Sequence, residues 1–134
     1  MEKAAFSITK YQFNKVTIDL ENNISKDVKL DFNTAGVYFK ENSTFELQFS
    51  IKAFNENKPV FAEVNCIGTF SFENVTELNE IPDFFYKNSI AILFPYVRAY
   101  ISLITTQANI PGIILPTLNL SSLEGTLRKN TVAK

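Results

Sequence analysis

Polar and apolar residues alternate through two consecutive stretches in the middle of the chain. Within residues 44–53 the apolar positions are Phe45, Leu47, Phe49, Ile51 and Ala53, and the residues between them are polar. After the polar turn FNENKP, a second alternation places apolar residues at Val60, Ala62, Val64, Cys66, Phe70 and Phe72. Alternation with a period of two is typical of strands with one buried face. Two such strands joined by a short turn predict a β-hairpin.

Two further strands are predicted towards the N-terminus. Residues 28–32 place Val28, Leu30 and Phe32 on one face. Residues 4–20 are also strand-like, but their apolar positions change phase, which indicates either β-bulges or apolar groups on both faces.

One face of the predicted sheet is expected to be fully apolar and the other mixed. The reason is that Phe61 and Ile67 lie at the alternate positions of their strand that are otherwise polar. A mixed face with exposed apolar groups indicates either an interaction surface or a face covered by a second copy of the chain.

The chain changes to helical spacing after residue 88. Apolar residues recur on more than one side of this segment, which predicts a helix buried from two directions. They are Leu93, Phe94, Val97, Tyr100, Ile101, Leu103 and Ile104.

The start of this helix depends on Pro95. Because proline lacks an amide donor, it fits the first turn best, so the regular helix is expected to begin near Leu93 or Phe94. The alternative is a helix that begins at Ser89 and is kinked at Pro95. Residues 74–88 are predicted to be loop, and the apolar run 90–97 is too short for a membrane helix.

A second, short helix is predicted in the last part of the chain, LSSLEGTLRKN. Ser121 is expected to cap it and Glu124 to complete a capping box. Its apolar edge consists of Leu120, Leu123 and Leu127. Four strands followed by two helices, within 134 residues, predict a single α+β domain over residues 1–134 with an antiparallel meander.

Composition excludes several classes of function. The chain has no histidine and one cysteine, so the usual general base, a disulfide and common metal sites are unsupported. No nucleotide-binding glycine pattern occurs, and a net charge of −1 argues against nucleic-acid binding. The N-terminus shows no signal-peptide pattern, so a soluble, cytoplasmic protein without membrane insertion is expected.

The sequence contains few side chains that could carry catalysis, and they do not form a recognisable catalytic pattern. Asp19 and Glu21 share a face as a possible carboxylate pair, but no other chemical group accompanies them. Packing and a surface ion pair are the expected roles of Tyr96, Arg98 and Tyr100, and Cys66 is expected to be a buried, inert thiol. We therefore expect that the protein is not an enzyme and has no cofactor.

Several strings along the chain resemble, in order, the export chaperone family SecB. The most specific is ILFPYVRAYIS at 92–102, which is similar to the family signature at the start of its long helix. IPGIILPTLNL at 110–120 is similar to the link to the last helix. Upstream, VKLDFNTA and FAEVNCIGTFSFENV resemble the second and fourth strands of the family, and FSITKYQFNKVTID resembles its first strand more loosely.

The resemblance implies a fold and a function. The fold would be a four-stranded antiparallel sheet, with a crossover after the first strand, followed by a long and a short helix. The function would be ATP-independent holding of unfolded polypeptides, chiefly preproteins for Sec-dependent export, with handover to SecA. The assembly would be a homotetramer, a dimer of dimers.

The resemblance also assigns three groups of residues. The client-binding residues would be Val28, Leu30, Phe32, Leu120, Leu123 and Leu127. The SecA-docking face would include Asp19, Phe61 and Glu63. The oligomer interface would involve Phe94, Tyr96, Val97, Tyr100, Ile101 and Ile104.

Departures from the family pattern leave other functions open. The connection ENNISKD between the first two strands is shorter than in the family, so a more open or smaller groove is expected. Lys15 stands where the docking face should be acidic. A chaperone dedicated to the antitoxin of a toxin–antitoxin system is therefore a second hypothesis. A carrier of a small apolar ligand, with a closed internal cavity, and a small enzyme without histidine are more remote ones.

Overall fold

The alternating segments form a five-stranded sheet, and the later segments form two helices. The computed structural model describes residues 5–116 and 119–134. The strands are β1 (Phe6–Ile18), β2 (Val28–Phe39), β3 (Thr44–Asn55), β4 (Val60–Phe72) and β5 (Thr131–Ala133). The helices are α1 (Asp83–Gln107) and α2 (Leu120–Lys129), and short 3-10 turns occupy Leu20–Asn22 and Leu78–Glu80.

The sheet order is β1-β4-β3-β2-β5. Strands β2, β3 and β4 form an antiparallel meander, and the chain crosses from β1 at one edge to β2 on the far side of it. The predicted α+β class and the crossover after the first strand are confirmed. The prediction of four strands is wrong, because β5 adds a parallel strand against Gly36–Tyr38 of β2. Three residues are too few to show an alternating pattern.

Two β-bulges explain the phase changes in β1. The register with β4 shifts between Ile8 and Lys10 and again between Phe13 and Lys15. Consequently Ile8 lies opposite Phe70 and Phe13 lies opposite Cys66, both of which are core residues. Of the two alternatives, bulges are therefore correct, and they keep the apolar residues of β1 on the face that the helices cover.

A third register shift moves Phe61 to the covered face. Ala62 lies opposite Ala53 and Val60 lies opposite Phe54, so Phe61 has no partner residue in β3. Phe61 is only 1% exposed, and it lines one cleft together with Ile110 and Ile113, which follow α1. The prediction that Phe61 sits on the polar face is therefore wrong. Ile67 does lie on that face, opposite the polar residues Gln12 and Gln48.

Helix α1 begins at Asp83, well before either predicted start, and Pro95 lies inside it. Residues 83–88 belong to a segment predicted to be loop, but two of them are core residues. Phe85 is fully buried and its ring lies 4.9 Å from that of Phe45 and 4.7 Å from that of Phe72. Aromatic burial of this kind stabilises a helical turn that its neighbours alone do not predict.

Helix α1 is long and apolar enough to cross a membrane. The core helix of a globular domain can meet the same criteria of length and composition. The apolar run 90–97 alone is too short to span a membrane, but the whole helix has 25 residues. It packs on the sheet through fully buried residues along its length, including Ile90, Leu93, Val97 and Ile101.

Helix α2 is capped by Asn119, one residue before its start, whose Oδ1 accepts a hydrogen bond of 3.2 Å from the Ser122 N–H. The predicted cap at Ser121 is therefore wrong. Near the end of α2, Arg128 contacts Glu124 at 3.2 Å and Asp83 at 3.5 Å, and lies over the Tyr86 ring. These contacts hold α2 against the start of α1.

Candidate functional site

One edge of the sheet is only partly covered. Strand β5 and the residue before it occupy the β2 edge from Thr34 onwards: the Thr34 carbonyl accepts from Asn130 Nδ2 at 3.0 Å, and the Gly36 N–H donates to the Asn130 carbonyl at 3.2 Å. Main-chain groups of alternate residues point to the same edge of a strand. Val28, Leu30 and Phe32 alternate in step with Thr34 and Gly36, so their main-chain N–H and C=O groups point to the same outer edge of β2. Among the described residues, β2 has no strand partner on this side upstream of Gly36.

The same three residues present apolar side chains to the helix-covered side of the sheet. Leu30 lies opposite Ala53 and Phe32 lies opposite Ile51, both fully buried, yet Leu30 and Phe32 are themselves only half-buried. Val28 is 38% exposed. Open main-chain groups and accessible apolar side chains therefore coincide along one line, which we call the β2 edge (Val28, Leu30 and Phe32).

A cleft of about 350 Å³ separates the β2 edge from α2. It is lined by Leu30, Asp31, Phe32, Pro116, Asn119, Ser122, Leu123 and Thr126. Of the helix residues predicted to bind a client, Leu120 is half-buried and Leu123 is 8% exposed. Leu127 is fully buried, so its side chain belongs to the core and is closed to a partner in this structure.

A second cleft, of about 400 Å³, lies at the start of β2. We call it the crossover pocket, after the β1–β2 connection that forms its outer wall. It is lined by Asn23, Ile24, Ser25, Lys26, Val28, Phe61, Ile110, Pro111 and Ile113. Both clefts open on the surface, whereas a carrier of a small ligand would need a closed internal cavity.

Sequence reasoning found only Val28 in the crossover pocket. Two signals point to the other lining residues. One is Phe61, which breaks the alternation of its strand. The other is the apolar link after α1, in which Ile113 lines this pocket, Pro116 lines the cleft beside α2, and Ile114 between them is 85% exposed.

One buried amide holds the outer wall of the crossover pocket. Asn55, at the end of β3, is 2% exposed. Its Oδ1 accepts from the N–H groups of Ile24 at 2.7 Å and Ser25 at 3.1 Å. Its Nδ2 donates to the carbonyls of Ser25 at 3.2 Å and Asp27 at 3.1 Å. The short connection is thus tied to the sheet by a fully satisfied side chain.

Of the three residues assigned to a SecA-docking face, one is closed to a partner. Asp19 caps the short turn after β1 by accepting a 3.1 Å hydrogen bond from the Glu21 N–H. Glu63 lies opposite Lys52 on the polar sheet face and forms a 3.4 Å ion pair with Lys15. Phe61 is only 1% exposed, so its side chain is not accessible beside Glu63 in this structure.

The residues assigned to an oligomer interface divide between two sides of α1. Val97 and Ile101 are fully buried against the sheet of their own chain, while Phe94, Tyr100 and Ile104 are half-buried. Tyr96 is 41% exposed. Only the outer members of the group are accessible to a second copy.

An exposed apolar surface continues from α1 to β1, which we call the α1–β1 surface. Its rings are stacked in pairs: Tyr11 on Tyr96 at 4.2 Å and Phe13 on Tyr100 at 4.0 Å between centroids. The exposed residues Ile92, Tyr96 and Leu103 extend along the helix at intervals of four and seven. This surface contains a cleft of about 410 Å³.

The groups that the sequence offers as candidates for catalysis are unreactive or engaged elsewhere in this structure. Burial raises the pKa of the Cys66 thiol to about 11, so it is protonated at neutral pH. No cluster of residues that could hold a metal ion occurs among residues 5–116 and 119–134. Asp19 is engaged in capping its own turn, and no other carboxylate or cation completes a site with it and Glu21. The arrangement suits binding of an apolar, extended partner.

Comparisons with known proteins agree with the fold. The chain is 33% identical over 131 residues to an uncharacterized protein, MJ0357, of Methanocaldococcus jannaschii, covering 90% of this chain and 83% of that protein. It is 32% identical over 80 residues to the protein-export protein SecB of Anaplasma phagocytophilum, covering 58% and 51% respectively.

A solved structure has the same architecture. The SecB-like chaperone Rv1957 of Mycobacterium tuberculosis, in complex with a ChAD peptide from the antitoxin Rv1956 HigA1, superposes with a TM-score of 0.67. Its sequence is 17% identical, and the match covers 84% of this chain and 90% of that one. The family model for preprotein translocase subunit SecB matches residues 6–126. The chain belongs to the SecB family.

Proposed function

We propose that the protein is an ATP-independent holdase that binds unfolded segments of other polypeptides along the β2 edge. The observation that carries this proposal is the coincidence of free main-chain groups and accessible apolar side chains at Val28, Leu30 and Phe32. An unfolded chain exposes both kinds of group, and one extended segment satisfies both at once.

The main chain accounts for broad selectivity and the side chains for most of the affinity. Hydrogen bonds between an added strand and β2 do not depend on the client sequence. Apolar side chains of the client enter the clefts on either side of the edge, where burial contributes about 25 cal/mol per Å². Each such contact is weak, and several sites acting on one long client give avidity.

Assembly into a homo-oligomer supplies those several sites. The α1–β1 surface presents Ile92, Tyr96 and Leu103 to solvent on a helix whose other side is already buried. We propose that this surface pairs with a second copy, giving a dimer and, by a further contact, a dimer of dimers. The complex would act in the cytoplasm, without a cofactor, nucleic acid or membrane insertion.

Preproteins destined for Sec-dependent export, with handover to SecA, are the first class of client that we propose. The similarity to a protein-export protein supports this class. The second class is the antitoxin of a toxin–antitoxin system. Two observations favour it: the solved neighbour binds an antitoxin peptide, and in the assigned docking face Phe61 is buried and Glu63 is paired with Lys15.

A matched pair of substitutions tests the β2 edge. Val28→Lys places a cation on the edge, and Val132→Lys makes the same change on β5, where the residue is 53% exposed and lines neither cleft. Light scattering of a chemically denatured client diluted into buffer without ATP measures the holdase activity. Several-fold more of the Val28→Lys variant should be needed to suppress client aggregation to the same extent. The Val132→Lys variant should suppress aggregation as well as the wild type does. Equal activity of all three proteins would refute binding at this edge.

A pull-down from native lysate, read by mass spectrometry, separates the client classes. Recovery of many precursors with export signals supports the first class. Recovery of one antitoxin supports the second. The Val28→Lys variant serves as the control, because a true client should be depleted from its eluate.

A further inference from the structure

One residue closes the β2 edge at its downstream end. Asn130, directly after α2, donates from Nδ2 to the Thr34 carbonyl at 3.0 Å, and its own carbonyl accepts from the Gly36 N–H at 3.2 Å. Thr34 and Gly36 are the next two outward-facing residues of β2 after Phe32, because outward main-chain groups recur at every second residue. At Thr34 the Asn130 amide therefore takes the place that the N–H of an added strand would take.

Strand β5 continues this closure along β2. It pairs in parallel with Gly36–Tyr38, and beyond it the Lys134 N–H donates to the Tyr38 carbonyl at 2.8 Å. The Lys40 N–H in turn donates to the Lys134 carbonyl at 3.1 Å. Neighbouring strands lie about 4.8 Å apart, so the main chain of residues 131–134 fills the space that a longer added strand would need.

Helix α2 holds Asn130 in place. The Asn130 N–H donates to the carbonyls of Thr126 at 3.0 Å and Leu127 at 3.2 Å. The Leu127 side chain is fully buried. Thr34 is fully buried as well, and its hydroxyl donates to the Leu123 carbonyl at 3.0 Å. The closure is thus supported by core residues and is formed before a client arrives.

The part of the β2 edge that stays open is short. Val28, Leu30 and Phe32 each direct one N–H and one C=O outwards, and in the part of the chain that the structure describes no strand pairs with them on that side. An added strand therefore finds three carbonyl acceptors before it reaches Asn130. The client residues that donate to these carbonyls alternate along the client, whichever direction it runs.

We propose that Asn130 sets the length of client that can join the sheet, so that each protomer pairs with a segment of about five residues, from Val28 to Phe32. This inference rests on the proposed function and adds a length limit to it. A longer client must leave the sheet at Phe32 and use the edge of another protomer. Several short pairings of this kind give avidity, and each of them can be released separately.

An N-methyl scan of a peptide measures the length of the paired segment. The peptide is as long as β2, 12 residues, and carries a terminal dye. It has leucine at three alternate central positions and polar residues elsewhere, so that one register is favoured. Each member of the series carries one N-methyl group, which removes one main-chain donor, and its affinity for the unmodified protein is measured by fluorescence anisotropy. We expect N-methylation to weaken binding about three- to tenfold at three alternate positions, as for the loss of one hydrogen bond, and much less elsewhere.

Asn130→Ala frees the Thr34 carbonyl, while the main-chain bond to Gly36 does not depend on the side chain. A fourth alternate position of the peptide should then become sensitive to N-methylation. Asn33→Ala makes the same change next to Thr34 but on the exposed polar face, and it should keep three sensitive positions.

The outcomes distinguish this inference from the function on which it rests. Four or more sensitive positions with the wild-type protein would show that the client displaces Asn130, which would overturn the length limit and leave the holdase intact. Three positions with Asn130→Ala would overturn the role of Asn130. Tight binding without any sensitive position would overturn the limit too, because no strand is then added. Failure of the peptide to bind, together with no suppression of client aggregation, would refute the holdase itself. The wild-type scan decides the limit even if Asn130→Ala does not fold.

Discussion

Replacement of Asn55 by alanine should loosen the wall of the crossover pocket and weaken client binding together with stability. The substitution removes four hydrogen bonds to residues 24–27. Each such bond contributes about 0.5–1.5 kcal/mol net. Because residues 24–27 are exposed, water can replace part of what is lost, and we expect a total near the lower half of the sum, about 2–3 kcal/mol.

Urea unfolding followed by circular dichroism measures this loss. With a slope of about 1.5 kcal/mol per M, the midpoint should fall by about 1.3–2 M. In the absence of urea, several-fold more of the same variant should be needed to suppress aggregation of the denatured client, since the wall of the pocket must then be ordered by the client. Asn33→Ala, on the exposed polar face, is the matched control and should change neither quantity. An unchanged midpoint would show that Asn55 does not hold the connection.

Three further predictions concern other parts of the molecule. Gly125→Ala should stabilise the protein by up to about 1 kcal/mol in the same urea assay, because no atom lies within 4 Å of the added methyl group and alanine favours the helix; a loss of stability would contradict the open position of Gly125 in α2. Tyr96→Lys should shift the protein towards smaller species in light scattering at micromolar concentration, whereas Lys87→Ala, at an exposed position on the same helix, should not. Cys66 should react with a thiol reagent at pH 8 only as the protein unfolds, since burial holds its pKa at about 11; rapid reaction in the folded state would contradict its burial.

The fold could be predicted where the periodicity of the sequence reflects a single covered face. In β3 every residue of one parity from Phe45 to Asn55 is buried, and the pattern predicts that face correctly. In β1 one face is also covered, but two bulges interrupt the alternation. The sequence alone is therefore compatible with bulges or with apolar groups on both faces, and the pairing with β4 shows that bulges are correct. The start of α1 is not predictable from its own short aromatic run, because the burial of Phe85 and Tyr86 depends on partners elsewhere in the chain, including the Phe45 ring.

The candidate site is harder to predict, because residues that line a groove and residues of the core show the same apolar alternation in a sequence. Leu30 and Phe32 have the alternation of Leu47 and Phe49, yet the latter pair is fully buried and the former only half-buried. The difference is what lies beside and above each strand: β3 has a neighbour on both sides, whereas β2 has a partner on its outer side only from Gly36 onwards. Resemblance to a family singled out Val28, Leu30 and Phe32, and the placement of β5 supplies the physical reason why they are accessible.

The short β1–β2 connection is predicted to leave a smaller or more open groove, and the structure adds that it is fixed. Asn55 binds the connection through both ends of its amide and makes it a fixed wall. A long mobile wall can adapt to many clients, whereas a short fixed one favours those whose side chains match the pocket behind it. If clients bind as proposed, the β2 edge accepts any extended segment, and the fixed wall of the crossover pocket limits which client side chains can lie beside it. A chaperone with few clients would keep the second feature, and one with many clients would depend on the first.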